Sequence, residues 1–488
     1  MNEKAGSWIE ARDKATADAI AVHDDAALAR LAAEPGGFGS NASRRAAWAT
    51  PTPTDSTAPD TPLVHVTLDR DSSPTAQTDD GHAPHRDEGQ VALDTRRSFV
   101  TYPKDLSKAD KAAMQADLHA LIVAVLQRHP GLSYFQGFHD IMTVLYLTFL
   151  DRTPRASTQG TKKGEWAELV AAAEVVSLCR VRDAMGTSLG PMMGMLRLLR
   201  RVLAAADPQL YNISASISPV PTLPFFALSW ILTLFSHDVD NLEPVQRIFD
   251  YLITRNPISA IYLAVAILVA KKPQMLRLAA ALGPEARADP SLLHPLFARL
   301  PPLYPDTPDA PAPPPAIDGA GADDDDDNAN PSAPIALSTV FLLADKLQAK
   351  YPWDGDRIRG LEVMGPGSVV QTYSADADAE KGVSLADAAT HIDKDVIVPG
   401  GDTLDDDEPA PEPPRRWPVA LPQLPQLRVP PNRIGTAIAF GVVVLGIGTA
   451  LYGWRAGGPR ASWAQWWGLV ARSWAIRSVG LGERLRLR

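Results

Sequence analysis

From Asp87 to Leu303 the apolar residues recur at helical spacing, and that property leaves little choice of fold. Leu118, Leu121, Ile122, Val125 and Leu126 make an i, i+3, i+4, i+7, i+8 stripe that lines one face of a helix. His129-Pro130-Gly131 stops it, because proline and glycine end helical periodicity. Further helices are predicted at 165–182, 190–205, 225–236, 242–254 and 258–271. No run alternates apolar and polar residues, so no sheet is expected. Ile258–Ala270 is uncharged but shorter than the roughly 20 residues a bilayer requires, and reads as a buried core helix. The expected class is all-α: a single large helical domain.

The rest of the chain is divided by composition. Residues 9–33 are predicted as one helix, with Ile9, Ala17, Ile20, Ala21, Leu28 and Leu31 at helical spacing, closed by Pro35-Gly36-Gly37. Ser43–Trp48 restarts a helix, so residues 1–50 open the domain. Residues 51–85, rich in Thr, Asp, Ser and Pro, read as a disordered insertion, and 86–304 as the domain proper. The 44 prolines are unevenly spread, which argues for disordered connections between folded parts. Residues 305–334 are Pro-rich, then acidic, and cannot bury enough apolar surface to offset ordering entropy. Residues 335–350 are expected to form one helix packed back on the domain, and 351–433 a disordered linker. Ile434–Trp454 is 21 residues without a charge, bracketed by Arg433 and Arg455. As a helix it spans roughly 31 Å, about one hydrocarbon core, and is expected to cross a membrane. Residues 455–488 hold Trp463, Trp466, Trp467 and Trp474 among arginines, the pattern of a tail lying at the bilayer surface. A short, glycine-bearing span suits a thin membrane such as the endoplasmic reticulum. The charged N-terminus has no apolar signal-peptide core, so a cytosolic N-terminal domain is expected.

Several functions are disfavoured. A net charge of -10 gives no electrostatic footing for nucleic acid. One cysteine, Cys179, allows neither a disulfide framework nor a cysteine zinc cluster. Neither G-x-x-x-x-G-K-[ST] nor G-x-G-x-x-G occurs, so the chain is not expected to bind a nucleotide by itself. The pairs His23-Asp24, His139-Asp140 and His237-Asp238 resemble metal-phosphohydrolase ligands, but such sites need more converging His and Asp residues, so no metal is expected.

One polar interruption remains. The stretch "LSYFQGFHDI", Leu132–Ile141, sets Gln136, Gly137, His139 and Asp140 between two apolar segments. Alone, Gln136 reads as a satisfied amide, and Arg97 in "QVALDTRRSF" as a solvated arginine at a helix start. Together, "HRDEGQVALDTRRSFVTYP" and "HPGLSYFQGFHDIMTVLYL" resemble the TBC domain of Rab GTPase-activating proteins. The I-x-x-D-x-x-R motif stands here as Val91, Asp94 and Arg97, with valine for isoleucine, and Y-x-Q as Tyr134 and Gln136. "RRAAW", with Arg44, Arg45 and Trp48, is similar to the R-x-x-W start of the domain, and Phe225–Ile253 to its later helices. The anchor-like C-terminus is similar to the endoplasmic-reticulum branch of the family.

The resemblance implies a Rab-family GTPase partner in its GTP form, with GTP and Mg²⁺ held by that partner and no cofactor in this chain. It implies that Arg97 and Gln136 are two catalytic fingers delivered in trans. A guanidinium is planar and permanently charged, and reaches two phosphate oxygens at once. A carboxamide accepts from an attacking water while donating elsewhere. Asp94 is then expected to orient the guanidinium, Tyr134 to pack the loop, Gly137 to permit close backbone approach, and Asp140 to tie down the turn. A non-catalytic membrane-anchored adaptor is the alternative.

Overall fold

The computed structural model describes residues 2–49, 84–104, 106–150, 162–217, 223–283, 289–310, 334–377 and 385–400. In chain order the helices are α1 (Asn2–Ala21), α2 (Asp25–Ala33), α3 (Asn41–Ala49), α4 (Glu88–Thr95), α5 (Lys108–Arg128), α6 (Phe138–Phe149) and α7 (Lys162–Cys179). After them come α8 (Gly190–Ala206), α9 (Pro208–Ile217), α10 (Leu228–Leu232), α11 (Leu242–Ile253), α12 (Ser259–Ala270) and α13 (Lys272–Ala281). The series ends with α14 (His294–Ala298), α15 (Leu337–Lys350), α16 (Val369–Ala377) and α17 (Leu385–Ala389).

The most apolar helix, α12, lies at the centre, and Ile261 to Leu268 along it are wholly buried. It packs between α8 and α15. A helix hydrophobic all round has nowhere stable but a core, so its burial follows from its sequence. On the site side, α4 packs on α5, and α5, α6 and α7 pack on one another. Among the described residues no single helix is long and apolar enough to cross a membrane. The uncharged run 434–454 and the tail 455–488 lie outside the described residues, as does the insertion from 51 to 83.

The N-terminal helices are fixed to the body by one carboxylate. Asp250 on α11 is fully buried and accepts from Arg44 Nε at 3.0 Å, Trp48 Nε1 at 3.0 Å and Arg247 Nη1 at 3.3 Å. Arg247 also donates to the carbonyls of Ala32 at 3.0 Å and Glu34 at 2.7 Å, closing the C-terminal end of α2. The R-x-x-W spacing points at Arg45 and Trp48, but Arg44 shares Asp250 with Trp48, while Arg45 donates to the Phe149 carbonyl at 3.2 Å.

The structure corrects several sequence readings. The single helix at 9–33 is two, because Asp24 accepts from the Ala27 amide at 2.8 Å and caps a new start after His23, which sits at φ 53. The helix at 225–236 shrinks to a 3₁₀ turn, Phe225–Ala227, and α10; Leu234 and Phe235 then turn left-handed at φ 49 and 68. A two-residue parallel pair, β1 (Leu303–Tyr304) with β2 (Ile335–Ala336), lies where no sheet was expected. It joins two stretches the pattern cannot relate. His85 is not loose insertion: it is buried, and its Nδ1 accepts from the Asp87 amide at 3.2 Å. Asp306 is not linker either, being buried and accepting from the Ser338 amide at 3.1 Å.

The largest correction concerns residues 351–400, read as linker. Trp353, Ile358, Val363, Met364, Val369 and Val370 are buried. Arg182, itself buried, donates to the carbonyls of Gly367 at 2.9 Å and Ala388 at 3.2 Å. Asp183 accepts from the Val369 amide at 2.9 Å. Burial drives the Asp183 carboxyl up to about 7, against the Val369 amide and the Arg182 charge, which both favour the ionised form. This C-terminal segment therefore completes the body over α7 and α8.

Candidate functional site

The site begins at the end of α4, not at a helix start. Helix α4 stops at Thr95, and the chain turns with the Arg97 amide donating to the Asp94 carbonyl at 3.1 Å. A cation there complements the negative end of the helix. Asp94 is fully buried: its Oδ1 accepts from Arg97 Nη2 and from Gln90 Nε2 at 3.1 Å, and its Oδ2 from the Tyr134 hydroxyl at 2.8 Å. A buried carboxylate without hydrogen-bond partners carries a large desolvation cost, and these three donors offset it. The guanidinium it holds is 46% exposed. Leu93 and Val100, both exposed, flank the turn.

The second segment is sewn to the first along its length. Arg86 Nη2 donates to Ser133 Oγ at 2.7 Å and to the Leu132 carbonyl at 3.2 Å. Asp87 accepts from the Tyr134 amide at 2.8 Å. Burial, then the charge and hydrogen bond of Asp94, push the Tyr134 phenol well above its usual range, so it remains a donor. Phe135 and Phe138 are buried with ring centroids 5.6 Å apart, and pack beneath the loop. Gln136 is half-buried, and its carboxamide has no hydrogen-bond partner among the described residues. Gly137 precedes α6 at φ 111, and a Cβ on it would stand 2.7 Å from Thr233 Cγ2. Glycine is required there twice over, by conformation and by space.

Asp140, in the first turn of α6, extends the network. Its Oδ2 meets His237 Nδ1 at 3.0 Å, and its Oδ1 lies 3.4 Å from His139 Nε2. The other ring nitrogen of His139 is 3.1 Å from the Tyr134 hydroxyl. Burial raises the Asp140 carboxyl, but His139, His237 and Arg97 together outweigh it and hold it below its usual range. The Asp140 hydrogen bond carries His237 up to about 9, against its desolvation. Among the described residues no three His, Cys, Asp or Glu side chains form a group able to hold a metal ion. His139 sets its ring nitrogens against Tyr134 and Asp140, and His237 sets Nδ1 against Asp140.

The structure thus joins Asp94, Arg97, Tyr134, His139 and Asp140 by direct contacts, with Gln136 two residues beyond Tyr134. Sequence reasoning missed Arg86, Asp87 and His237. The first two sit in the quoted motif segment but carry no pattern of their own. His237 was noticed only within a dipeptide, and its partner is 97 residues away.

Residues 61–276 match the Rab-GTPase-TBC domain model. TBC1 domain family member 20 of Homo sapiens is 27% identical over 57% of this chain and 59% of that protein. GTPase-activating protein gyp10 of Schizosaccharomyces pombe is 31% identical over 44% of this chain and 52% of its own. The chain therefore spans little more than half the length of the curated relatives it matches. A crystal structure of the Chlamydomonas flagellar RabGAP TBC domain aligns with 44% of this chain and 65% of its own, at 21% identity and a TM-score of 0.29, too low to carry weight. On the domain match and the relatives, the chain carries a Rab-GTPase-TBC domain over residues 61–276.

Proposed function

We propose that this chain accelerates GTP hydrolysis on a Rab-family GTPase, with Arg97 as the arginine finger and Gln136 as the glutamine finger. The observation that carries the reading is Asp94. One buried carboxylate orients the exposed guanidinium and holds the tyrosine two residues before the glutamine, so it couples the two segments directly. Hydrolysis builds negative charge on the γ-phosphoryl oxygens, and a guanidinium from outside offsets it. An arginine supplied in trans contributes on the order of 10³–10⁵ in rate. The carboxamide of Gln136, without a hydrogen-bond partner among the described residues, can accept from a water and hold it in line for attack. GTP and Mg²⁺ belong to the partner.

The same proposal includes the C-terminal run 434–454 as a transmembrane anchor in an early secretory membrane such as the endoplasmic reticulum. The folded domain then faces the cytosol and the tail 455–488 lies on the bilayer. The anchor confines the domain to a surface where lipidated GTPases also sit, raising effective concentration.

Single-turnover hydrolysis by GTP-loaded Rab-family GTPases tests the reading. Arg97→Ala and Gln136→Ala are each expected to remove most of the acceleration with unchanged far-UV circular dichroism. Arg97→Lys keeps the charge but loses the fork, and is expected to fall nearly as far. Arg96→Ala is the control. Full acceleration by both alanine variants refutes the two-finger assignment; association without acceleration by the wild type makes the chain an adaptor.

A further inference from the structure

His237 has no part in the two-finger scheme, yet it ends the chain of side chains that begins at Arg97. Arg97 is held by Asp94, Asp94 by Tyr134, Tyr134 lies against His139, His139 against Asp140, and Asp140 accepts from His237 at 3.0 Å. His237 is 62% exposed, so burial does not compel this contact. The turn that carries it is held in an uncommon backbone conformation, with Leu234 and Phe235 both at positive φ. Such conformations persist where the surroundings over-determine them. The same turn meets the glutamine loop at a second point, because Thr233 fills the space beside Gly137. Two residues four apart therefore touch the start of α6 on either side of its first turn.

We propose that His237 is a positioning residue for the hydrolysis site: as an imidazolium it clamps Asp140, and through it the start of α6, so that Gln136 and Gly137 keep one geometry. The role rests on the activator reading above. The groups that face His237 decide its charge. From α6 come Asp140 and His139, from the turn after α4 comes Arg97, and its own turn adds Asp238, with Asp240 beyond. Tyr102 donates to the Ser236 carbonyl at 3.4 Å and stays neutral, being buried. Asp140 and Asp238 favour the charged ring, while Arg97 and desolvation oppose it, and the Asp140 hydrogen bond is the largest influence.

The full chain as wild type, His237→Ala and His237→Gln decides the matter by two measurements. The first is amide exchange, corrected for the intrinsic base-catalysed rate, in a peptide covering residues 132–141. At pH 7 the alanine variant is expected to exchange about tenfold faster there, a loss of about 1.4 kcal/mol of local protection, with α12 unchanged. Glutamine donates a neutral hydrogen bond, so that variant is expected to keep partial protection that does not vary with pH. The wild type is expected to lose protection as pH passes about 9. The second is the stimulated rate on GTP-loaded Rab-family GTPases, with the unstimulated rate subtracted at each pH. His237→Ala is expected to lower the maximal rate several-fold at unchanged half-saturating concentration. Unaltered exchange at 132–141 in the alanine variant overturns the clamp whatever the hydrolysis data show. A loosened loop with an unchanged stimulated rate overturns the positioning role. If the wild type stimulates no GTPase while the exchange results hold, the activator reading falls and the clamp stands.

Discussion

Asp94 is the residue on which the two motif segments meet, and its neighbours set measurable costs. Tyr134→Phe removes the donor to a buried carboxylate oxygen, and is expected to destabilise by about 1–3 kcal/mol in urea unfolding. Arg97→Ala removes one of three donors to the buried Asp94 carboxylate, and is expected to destabilise by about 1–3 kcal/mol while removing most of the acceleration. Gly137→Ala must adopt φ 111 and push Thr233 aside, which is expected to cost about 1–3 kcal/mol or more and to disturb the glutamine loop directly. Val91, Asp94, Arg97, Tyr134 and Gln136 were picked out by resemblance to two short family motifs, and the structure joins Asp94, Arg97 and Tyr134 by direct contacts. His237 and Asp87 were not legible, since their significance lies in partners 97 and 47 residues away. No local pattern encodes a contact of that separation.

At the scale of elements, the joints between helices carry the charged groups. Asp250 ties α3 to α11, and Arg247 closes α2 from the same spot. Asp250→Ala leaves Arg44 and Arg247 buried without their counter-charge, and is expected to destabilise by about 3–5 kcal/mol. The joint between α6 and the turn at Phe235 is pH-dependent. His237 in the folded protein titrates near 9, above its ordinary 6.5. A raised cationic pKa contributes stability that is fully present below about 6.5 and is lost as pH rises through about 9. Chemical unfolding of wild type and His237→Gln at pH 6 and pH 9.5 is expected to show the gap between them narrowing at the higher pH. Helices with a continuous apolar face, such as α8, α11 and α12, were readable to within a few residues. The breaks were less so. Asp24 splits one periodic run because its carboxylate caps a new helix, and Leu234 and Phe235 end another through backbone conformation that apolar side chains do not announce.

At the scale of the whole molecule, the folded body reaches Gly400 and does not stop at the end of α15. Residues 351–400 were misread because their buried apolar residues are scattered among Gly, Pro and Asp and keep no period. They are buried in large part against α7 and α8, which lie far away in the sequence. A chain ending at 350 loses Trp353, Ile358, Val363, Met364, Val369 and Val370 from the core and strips Arg182 and Asp183 of their partners. It is expected to melt far below a chain ending at 400, and without a cooperative transition, in differential scanning calorimetry. The segment also reaches the site, since Ile392 Cγ2 lies 2.8 Å from where a Cβ on Gly131 would stand, five residues before Gln136. The segment 334–400 packs on β1, α12, α8 and α7 with its own apolar contacts, and Asp345 pairs with Arg255. Severing the peptide chain between 310 and 334 therefore need not separate the halves. Two polypeptides, 1–310 and 334–400, produced in one cell should find each other and copurify as a non-covalent heterodimer, which makes this molecule a candidate for fragment complementation.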